Sequence, residues 1–189
     1  LTLCDRHRGI GGDGLVLIER SDIADVKMRS FNRDGSEGRM AGNSIRSVGK
    51  YVYDRGILPK TTLTVETASG VHTLTLYTRD GAVTLCGVTM GKADFAAASL
   101  PALTDKAELV SAPLTVGGKT CTVTCLSVGN PHCVVFDDRI DALDLETLGP
   151  QFEHAPIFPE RINTEFVRVV NRNMLKMRVY ERGNGETPA

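Results

Sequence analysis

Short runs in which apolar and polar residues alternate recur along most of the chain. Because successive side chains of a β-strand point to opposite faces of a sheet, this alternation predicts strands that bury one face. The runs are also rich in β-branched residues, which favour strands. The predicted strands cover residues 15–18, 61–67, 72–77, 82–88, 120–128, 133–136, 165–170 and 175–180.

Two segments replace this alternation with helical spacing. The clearest predicted helix covers residues 44–53. Within it Ile45, Val48 and Val52 recur at the spacing that places side chains on one side of a helix. Residues 142–148 are a second helical candidate. Sheet therefore predominates over helix in the predicted fold.

The strand rhythm is lost between residues 91 and 113, where Ala, Asp, Ser and Pro become frequent. Such a change of composition is typical of a connection between domains. We place the boundary near Gly91, which predicts two domains, residues 1–91 and 92–189.

Composition and charge narrow the classes of protein. The 189 residues, of which 41% are hydrophobic, suffice for a buried core in one large or two small domains. A net charge of −1 with mixed signs throughout gives no basic face for nucleic acid. The apolar runs are shorter than the roughly 20 residues that cross a bilayer, and no signal peptide is visible. We therefore expect neither a nucleic-acid partner nor a membrane.

The cysteines indicate a reducing compartment. Their number is odd and no CxxC spacing occurs, so the sequence predicts neither a zinc site nor a complete disulfide framework. Cys121 and Cys125 fall on one face of a predicted strand, where they are expected to be small buried apolar residues. A cytoplasmic protein fits this pattern best. The five cysteines are Cys4, Cys86, Cys121, Cys125 and Cys133.

One segment resembles the first active-site segment of the diaminopimelate epimerases. It reads Phe31-Asn-Arg-Asp-Gly-Ser-Glu-Gly-Arg-Met-Ala-Gly-Asn-Ser-Ile-Arg46. Four further blocks resemble that family in order and at similar spacing, and together they extend the resemblance over almost the whole chain. The blocks are residues 4–18, 127–135 with the motif Gly-Asn-Pro-His, 161–166 with Asn-Thr-Glu-Phe, and 178–189.

The resemblance implies an α+β fold of two pseudo-symmetric lobes, each a curled, mostly antiparallel sheet around a central helix. A weak internal repeat in the sequence agrees with this pseudo-symmetry. Phe31 and Asn32 precede position 41 by the same offsets by which Tyr180 and Glu181 precede the position after Ala189. The family would also have an opening segment before this sequence and a thiol directly after Ala189, so both lobes are expected to lack an end.

The resemblance places a cysteine at the position of Ala41, as one of two thiols that shuttle a proton at the α-carbon of an amino acid. Inversion of a stereocentre needs one group to remove a proton from one face and another to deliver a proton to the opposite face. A methyl group can do neither, so this form is expected to be inactive. The resemblance places no working thiol at Cys133.

Directly after this position, Gly42 and Asn43 open the predicted helix. Unpaired backbone N–H groups and the helix dipole favour an anion there, which suits the carboxylate of a substrate. Composition alone would predict only a turn at this Gly-Asn pair. The resemblance makes it a substrate-binding site.

Six further positions match functional residues of the family. Those matching the residues that hold the distal end of the substrate are Asn32, Asn130 and Asn163, with Arg182 clamping the distal carboxylate. His132 and Glu181 match residues that assist the thiols and hold the substrate ammonium. The alternatives are turn capping for each asparagine, a surface imidazole for the histidine and a solvated ion pair for Glu181.

The implied activity is the interconversion of LL- and meso-diaminopimelate, without any cofactor or metal, in lysine biosynthesis. The expected partner is a small amino-acid substrate, and the expected assembly is a homodimer. Another racemase of the superfamily, for proline or hydroxyproline, is the first alternative, and the distal-end residues Asn130, Asn163 and Arg182 argue against it. A non-catalytic amino-acid-binding homologue is the second, and Ala41 together with Ser47 supports it.

Overall fold

The computed structural model describes residues 2–188, so Ala189, the last residue of the final matching block, lies outside the described residues. The chain divides into two compact units, Leu1–Gly91 and Lys92–Ala189, called here the N-terminal unit and the C-terminal unit. No helix within residues 2–188 is both long enough and apolar enough to cross a membrane.

The N-terminal unit is built on a six-stranded sheet. The strand order is β1-β2-β4-β5-β6, and β3 pairs with β2. All neighbours are antiparallel except β2 and β4, which are parallel. The strands are β1 (Gly14–Glu19), β2 (Val26–Asn32), β3 (Glu37–Gly38), β4 (Thr62–Thr67), β5 (Gly70–Arg79) and β6 (Ala82–Val88).

Helix α1 (Gly42–Asp54) supplies the helical half of this unit's core. Its Ile45, Val48 and Val52 are almost fully buried and cluster with sheet residues such as Leu63 and Leu74. The sequence periodicity therefore predicted the buried face correctly, and the helix over residues 44–53 is confirmed.

The C-terminal unit also contains a six-stranded sheet, in the order β12-β11-β10-β9-β8-β7. Here β9 and β10 are the parallel neighbours. Its core joins one sheet face to helix α2 (Leu145–Glu153), and Phe152 meets Phe166 edge to face at a centroid distance of 5.4 Å. The strands are β7 (Ala112–Val116), β8 (Lys119–Ser127), β9 (Pro131–Phe136), β10 (Asn163–Asn171), β11 (Met174–Glu181) and β12 (Gly185–Thr187).

The helix predicted over residues 142–148 was misplaced. Residues Ile140–Ala142 form a 3₁₀ turn, and α2 begins only at Leu145. The reason is Asp144, whose carboxylate accepts a hydrogen bond from the N–H of Thr147 and caps the helix. The helix also continues to Glu153, because Phe152 is buried against the sheet.

All eight predicted strands are confirmed, with shifts at their ends, but two longer strands were missed. In β2 the alternation that begins with Val26 and Met28 is broken by Ser30, a polar residue on the buried face, and by Phe31, an apolar residue on the other face. Strand β7 begins within the last two residues of the stretch predicted to connect the domains, and its second residue is Pro113. A proline is tolerated there because β7 is at the edge of its sheet.

The two units share a three-stranded motif, which confirms the predicted pseudo-symmetry. In the first, Phe31 of β2 pairs with Leu15 of β1 and with Glu37 of β3. In the second, β11 pairs in the same order with β10 and β12, through Tyr180 with Thr164 and Glu186. The α+β class with mostly antiparallel sheets is confirmed as well.

The same ion pair recurs within this motif. Arg29 donates two hydrogen bonds to Glu37, at 2.7 and 3.0 Å, and Arg178 donates two to Glu186, at 2.8 and 2.9 Å. In both cases the partners are eight residues apart in the sequence. The repeat noticed in the sequence thus extends to equivalent side-chain contacts.

Candidate active site

The start of α1 is the first part of the candidate site. Ala41 is the N-cap residue, in an extended conformation, and its carbonyl accepts the first helical hydrogen bond from Ile45 at 2.9 Å. Its methyl group makes no side-chain cap. Gly42 and Asn43 are the first two helical residues, so their backbone N–H groups belong to the turn that lacks intrahelical acceptors.

Arg46 adds positive charge to this helix start. Its guanidinium donates to the side-chain oxygen of Asn43 and, at 3.2 Å, to the carbonyl of Gly42. The first turn thus combines a guanidinium with the positive end of the helix dipole. The predicted preference for an anion has a physical basis here, although the side chain of Asn43 is already occupied by Arg46.

Asn32 ends β2 and forms a tight turn. Its backbone N–H donates to the carbonyl of Ser36 at 2.8 Å, and its side-chain nitrogen donates to the hydroxyl of Ser36 at 3.0 Å. The carbonyl of Asn32 accepts from Gly35 at 2.9 Å. These contacts correspond to the turn-capping alternative, so the substrate-binding role of Asn32 stays a prediction.

In the C-terminal unit, several polar residues of the candidate site lie on one face of the sheet. Strand register pairs His132 with Asn163, and Cys133 with Thr164. Cys133 belongs to the same buried cluster as Phe152 of α2, so the face that includes His132 and Asn163 is turned away from α2. By the same alternation Glu165 and Glu181 belong to this second face, since Tyr180 faces the core.

Asn163 connects three of the matching segments. Its side chain is buried, and its nitrogen donates to the carbonyl of Pro131 at 2.9 Å. Its oxygen accepts from the backbone N–H of Arg182 at 3.0 Å. A single amide therefore holds the Gly-Asn-Pro-His turn, which contains Asn130, against the segment that contains Glu181.

The segment after β11 is fixed by further contacts. The side chain of Glu181 accepts from the side-chain nitrogen of Asn184 at 3.3 Å, and the guanidinium of Arg182 donates to the carbonyl of Glu160 at 3.1 Å. Glu153 of α2, only 5% exposed, accepts from the N–H of Gly183 at 2.8 Å. Sequence reasoning missed Glu153, because the helix was predicted to end at residue 148, before this position.

His132 has a carboxylate partner that was also missed. Its Nδ1 lies 2.6 Å from Oε1 of Glu165, and the two side chains are 22% and 12% exposed. The surface-imidazole alternative is therefore wrong. Glu165 belongs to the Asn-Thr-Glu-Phe motif, and its position two residues after Asn163 on a strand was the signal that could have found it.

Cys133 is no candidate for acid–base work. It lies opposite Cys125 on β8, and neither residue is exposed. The hydrogen bond with Cys125, and after it burial, raise the pKa of the Cys133 thiol well above its usual value. The thiol stays protonated near neutral pH. Within residues 2–188 no group of three or more His, Cys, Asp or Glu side chains could hold a metal ion.

The sequence is similar to diaminopimelate epimerases. Residues 2–96 and 124–189 match the family model described as diaminopimelate epimerase. The chain is 51% identical over 185 residues to the diaminopimelate epimerase of Acetivibrio thermocellus, which covers 98% of this chain and 66% of the relative. It is 49% identical over 193 residues to the diaminopimelate epimerase of Desulfovibrio desulfuricans, and this match covers 99% of this chain and 67% of the relative. The chain thus spans about two thirds of the length of these relatives.

The fold is similar to that of a structure described as a probable proline racemase from Agrobacterium radiobacter. The TM-score is 0.70 at 17% sequence identity, and the match covers 98% of this chain and 58% of the other. At this identity the likeness concerns the fold alone.

Proposed function

This chain belongs to the diaminopimelate epimerase family, and we propose that its function is the interconversion of LL- and meso-diaminopimelate by two-base proton transfer. The observation that carries the proposal is the buried amide of Asn163, which ties together three segments that match the family. A proline or hydroxyproline racemase is the weaker alternative, because its support is a likeness of fold at 17% identity.

The first proposed role belongs to the start of α1. The N–H groups of Gly42 and Asn43 bind the α-carboxylate and stabilise the negative charge that spreads onto it as the α-proton leaves. Position 41 is the place of the first thiol. The helix N-terminus would lower the pKa of a cysteine there, which makes a thiolate accessible near neutral pH.

The other proposed roles belong mainly to the C-terminal unit. His132 and Glu181 assist proton transfer, and Glu181 also holds the substrate ammonium. Arg182 forks onto the distal carboxylate, because a guanidinium can donate two parallel hydrogen bonds. Asn32, Asn130 and Asn163 complete the contacts to the distal end of the substrate.

We further propose that the chain with Ala41 binds the substrate without epimerising it. The alanine at position 41 also supports an alternative function, that of a non-catalytic homologue that binds an amino acid. A homodimer in the cytoplasm is proposed from the family resemblance, and sedimentation velocity tests the dimer. The two units correspond, in this proposal, to the two lobes of the family.

Binding of meso-diaminopimelate, compared with L-lysine in calorimetric titrations, tests the function. We expect preference for the ligand with the second carboxylate, and Arg182→Lys should abolish that preference because an ammonium cannot reproduce the fork. Arg172→Lys, at an exposed arginine of the same unit, is the control. Equal affinities for both ligands in the parent chain would refute the proposed substrate.

Exchange of the substrate α-proton with deuterated solvent tests the role of position 41. The parent chain should give little exchange, and Ala41→Cys should raise the exchange of the substrate α-proton above it, because a thiol at position 41 can remove the proton whereas a methyl group cannot. Rapid exchange by the unmodified chain would contradict the mechanism.

A further inference from the structure

Glu165 has no role assigned by the resemblance, yet its geometry is that of a partner to His132. The two residues lie on adjacent parallel strands, and His132 is in register with Asn163, two positions before Glu165. Alternation places both side chains on the face turned away from α2. There the ring nitrogen Nδ1 approaches the carboxylate oxygen to 2.6 Å, the length of a strong charge-assisted hydrogen bond.

The second ring nitrogen of His132, Nε2, indicates that the contact with Glu165 has more than a structural role. Nε2 of His132 is buried and has no hydrogen-bond partner among the described residues. A neutral imidazole carries one N–H and one lone pair, and the partner of one nitrogen decides which form it takes. An ionised Glu165 can only accept, so a neutral ring beside it carries the proton on Nδ1 and the lone pair on Nε2.

We propose that Glu165 is a positioning residue that fixes the tautomer and the ring orientation of His132, so that Nε2 is held as a proton acceptor. The role of Glu165 in the reaction rests on the proposed function. The tautomer predicted for His132 rests only on its contact with Glu165. Glu165 keeps its hydrogen bond with Nδ1 throughout, and one N–H bond forms at Nε2 as one S–H or C–H bond breaks. The proton that Nε2 accepts comes from a thiol or from the substrate, and it is returned in the reverse step.

An unpartnered ring nitrogen distinguishes the partly buried His132 from the buried His72. Both ring nitrogens of His72 are hydrogen-bonded, Nε2 with the Ser69 hydroxyl at 2.9 Å and Nδ1 with the Thr89 carbonyl at 3.1 Å. His72 is therefore satisfied within its own unit. Burial of an unpaired acceptor costs stability, so a purely structural histidine would be expected to resemble His72 instead.

The first test is the tautomer of His132, read from long-range ¹H–¹⁵N spectra of the histidine-labelled chain above neutral pH. We expect the Nδ1–H form in the parent. Glu165→Gln should keep it, because the amide oxygen still accepts, and Glu165→Leu should lose it. The His72 signals are the internal control and should not move. An Nε2–H form in the parent, or no response to Glu165→Leu, overturns the inference.

The second test separates positioning from stability, in chains that also carry Ala41→Cys. Glu165→Leu should slow α-proton exchange at least about tenfold, whereas Glu165→Gln should recover most of the rate. Glu108→Leu, at an exposed position, is the matched control, and urea unfolding verifies that each variant is folded. If Glu165→Leu shifts the tautomer of His132 but leaves the rate of α-proton exchange unchanged, the positioning role of Glu165 is overturned. Absent exchange in Ala41→Cys alone counts against the proposed function, and the spectra then decide the tautomer by themselves.

Discussion

Two helical glycines differ in what a side chain would meet there. A Cβ on Gly149 of α2 would lie 2.1 and 2.2 Å from ring atoms of Tyr180, the residue before Glu181. A Cβ on Gly49 of α1 would instead meet methyl groups, at 2.7 Å for Leu74 and 3.1 Å for Leu76. An aromatic ring packed in a core cannot yield as a terminal methyl group can.

We predict that Gly149→Ala lowers the free energy of unfolding by about 1–3 kcal/mol, because it overpacks the core against Tyr180. Gly49→Ala should change it by less, since the gain of up to about 1 kcal/mol in helix propensity offsets small methyl displacements. Urea unfolding followed by circular dichroism measures both. Equal losses in the two variants would contradict this account of the Tyr180 contact.

At the scale of elements, the parallel junction of β2 and β4 depends on one carboxylate. Asp25, just before β2, accepts from the ammonium of Lys60 at 2.6 Å and from the N–H and hydroxyl of Thr64 at 2.8 and 3.1 Å. The Lys60 hydrogen bond first, and the Thr64 contacts after it, hold the pKa of Asp25 below its ordinary value despite partial burial. The charged form is therefore favoured by folding.

Asp25→Asn should destabilise the protein at neutral pH by about 1.5–3 kcal/mol, the range for hydrogen bonds to a charged group. A depressed native pKa gives stability that is present above the unfolded pKa and is lost as the pH falls through the lower native value. The difference between parent and variant should therefore shrink in acid. Urea unfolding across the acid range measures it, with the exposed Asp22→Asn as control. A difference that stays constant with pH would disprove the link to the charge of Asp25.

At the scale of the whole molecule, each unit contains one pair of parallel neighbouring strands whose connection includes a helix, in addition to the shared three-stranded motif. In the N-terminal unit α1 lies between β2 and β4 in sequence, and in the C-terminal unit α2 lies between β9 and β10. A helical crossover is the usual connection of parallel neighbours, since a tight turn cannot join them. The residues proposed to bind substrate are distributed over both units.

We predict that meso-diaminopimelate shifts the backbone amide signals of the residues proposed to bind it in an NMR titration. The reporters are Gly42 and Asn43 for the proposed α-carboxylate contact, and Glu181 and Arg182 for the proposed ammonium and distal-carboxylate contacts. L-Lysine, which lacks the second carboxylate, is the matched ligand and should affect Arg182 less. Unchanged signals at all four reporters would contradict the proposed set of site residues.

The sequence by itself determined the features that depend on local order. Alternation predicted eight strands, and the spacing of Ile45, Val48 and Val52 predicted both α1 and its buried face. These signals are local because each side chain's direction follows from the backbone period. The signal failed in β2, where the polar Ser30 lies on the buried face and the apolar Phe31 lies on the other face.

Only the tertiary structure decided which polar groups are partners. His132 and Glu165 are 33 residues apart in the sequence, Asn163 and Pro131 are 32 apart, and Glu153 and Gly183 are 30 apart. Each contact depends on strand register or on how α2 packs, and neither is encoded in the type of a single residue. The sequence does not distinguish a buried carboxylate from an exposed one. Glu165 is buried because strands from distant segments of the chain surround it.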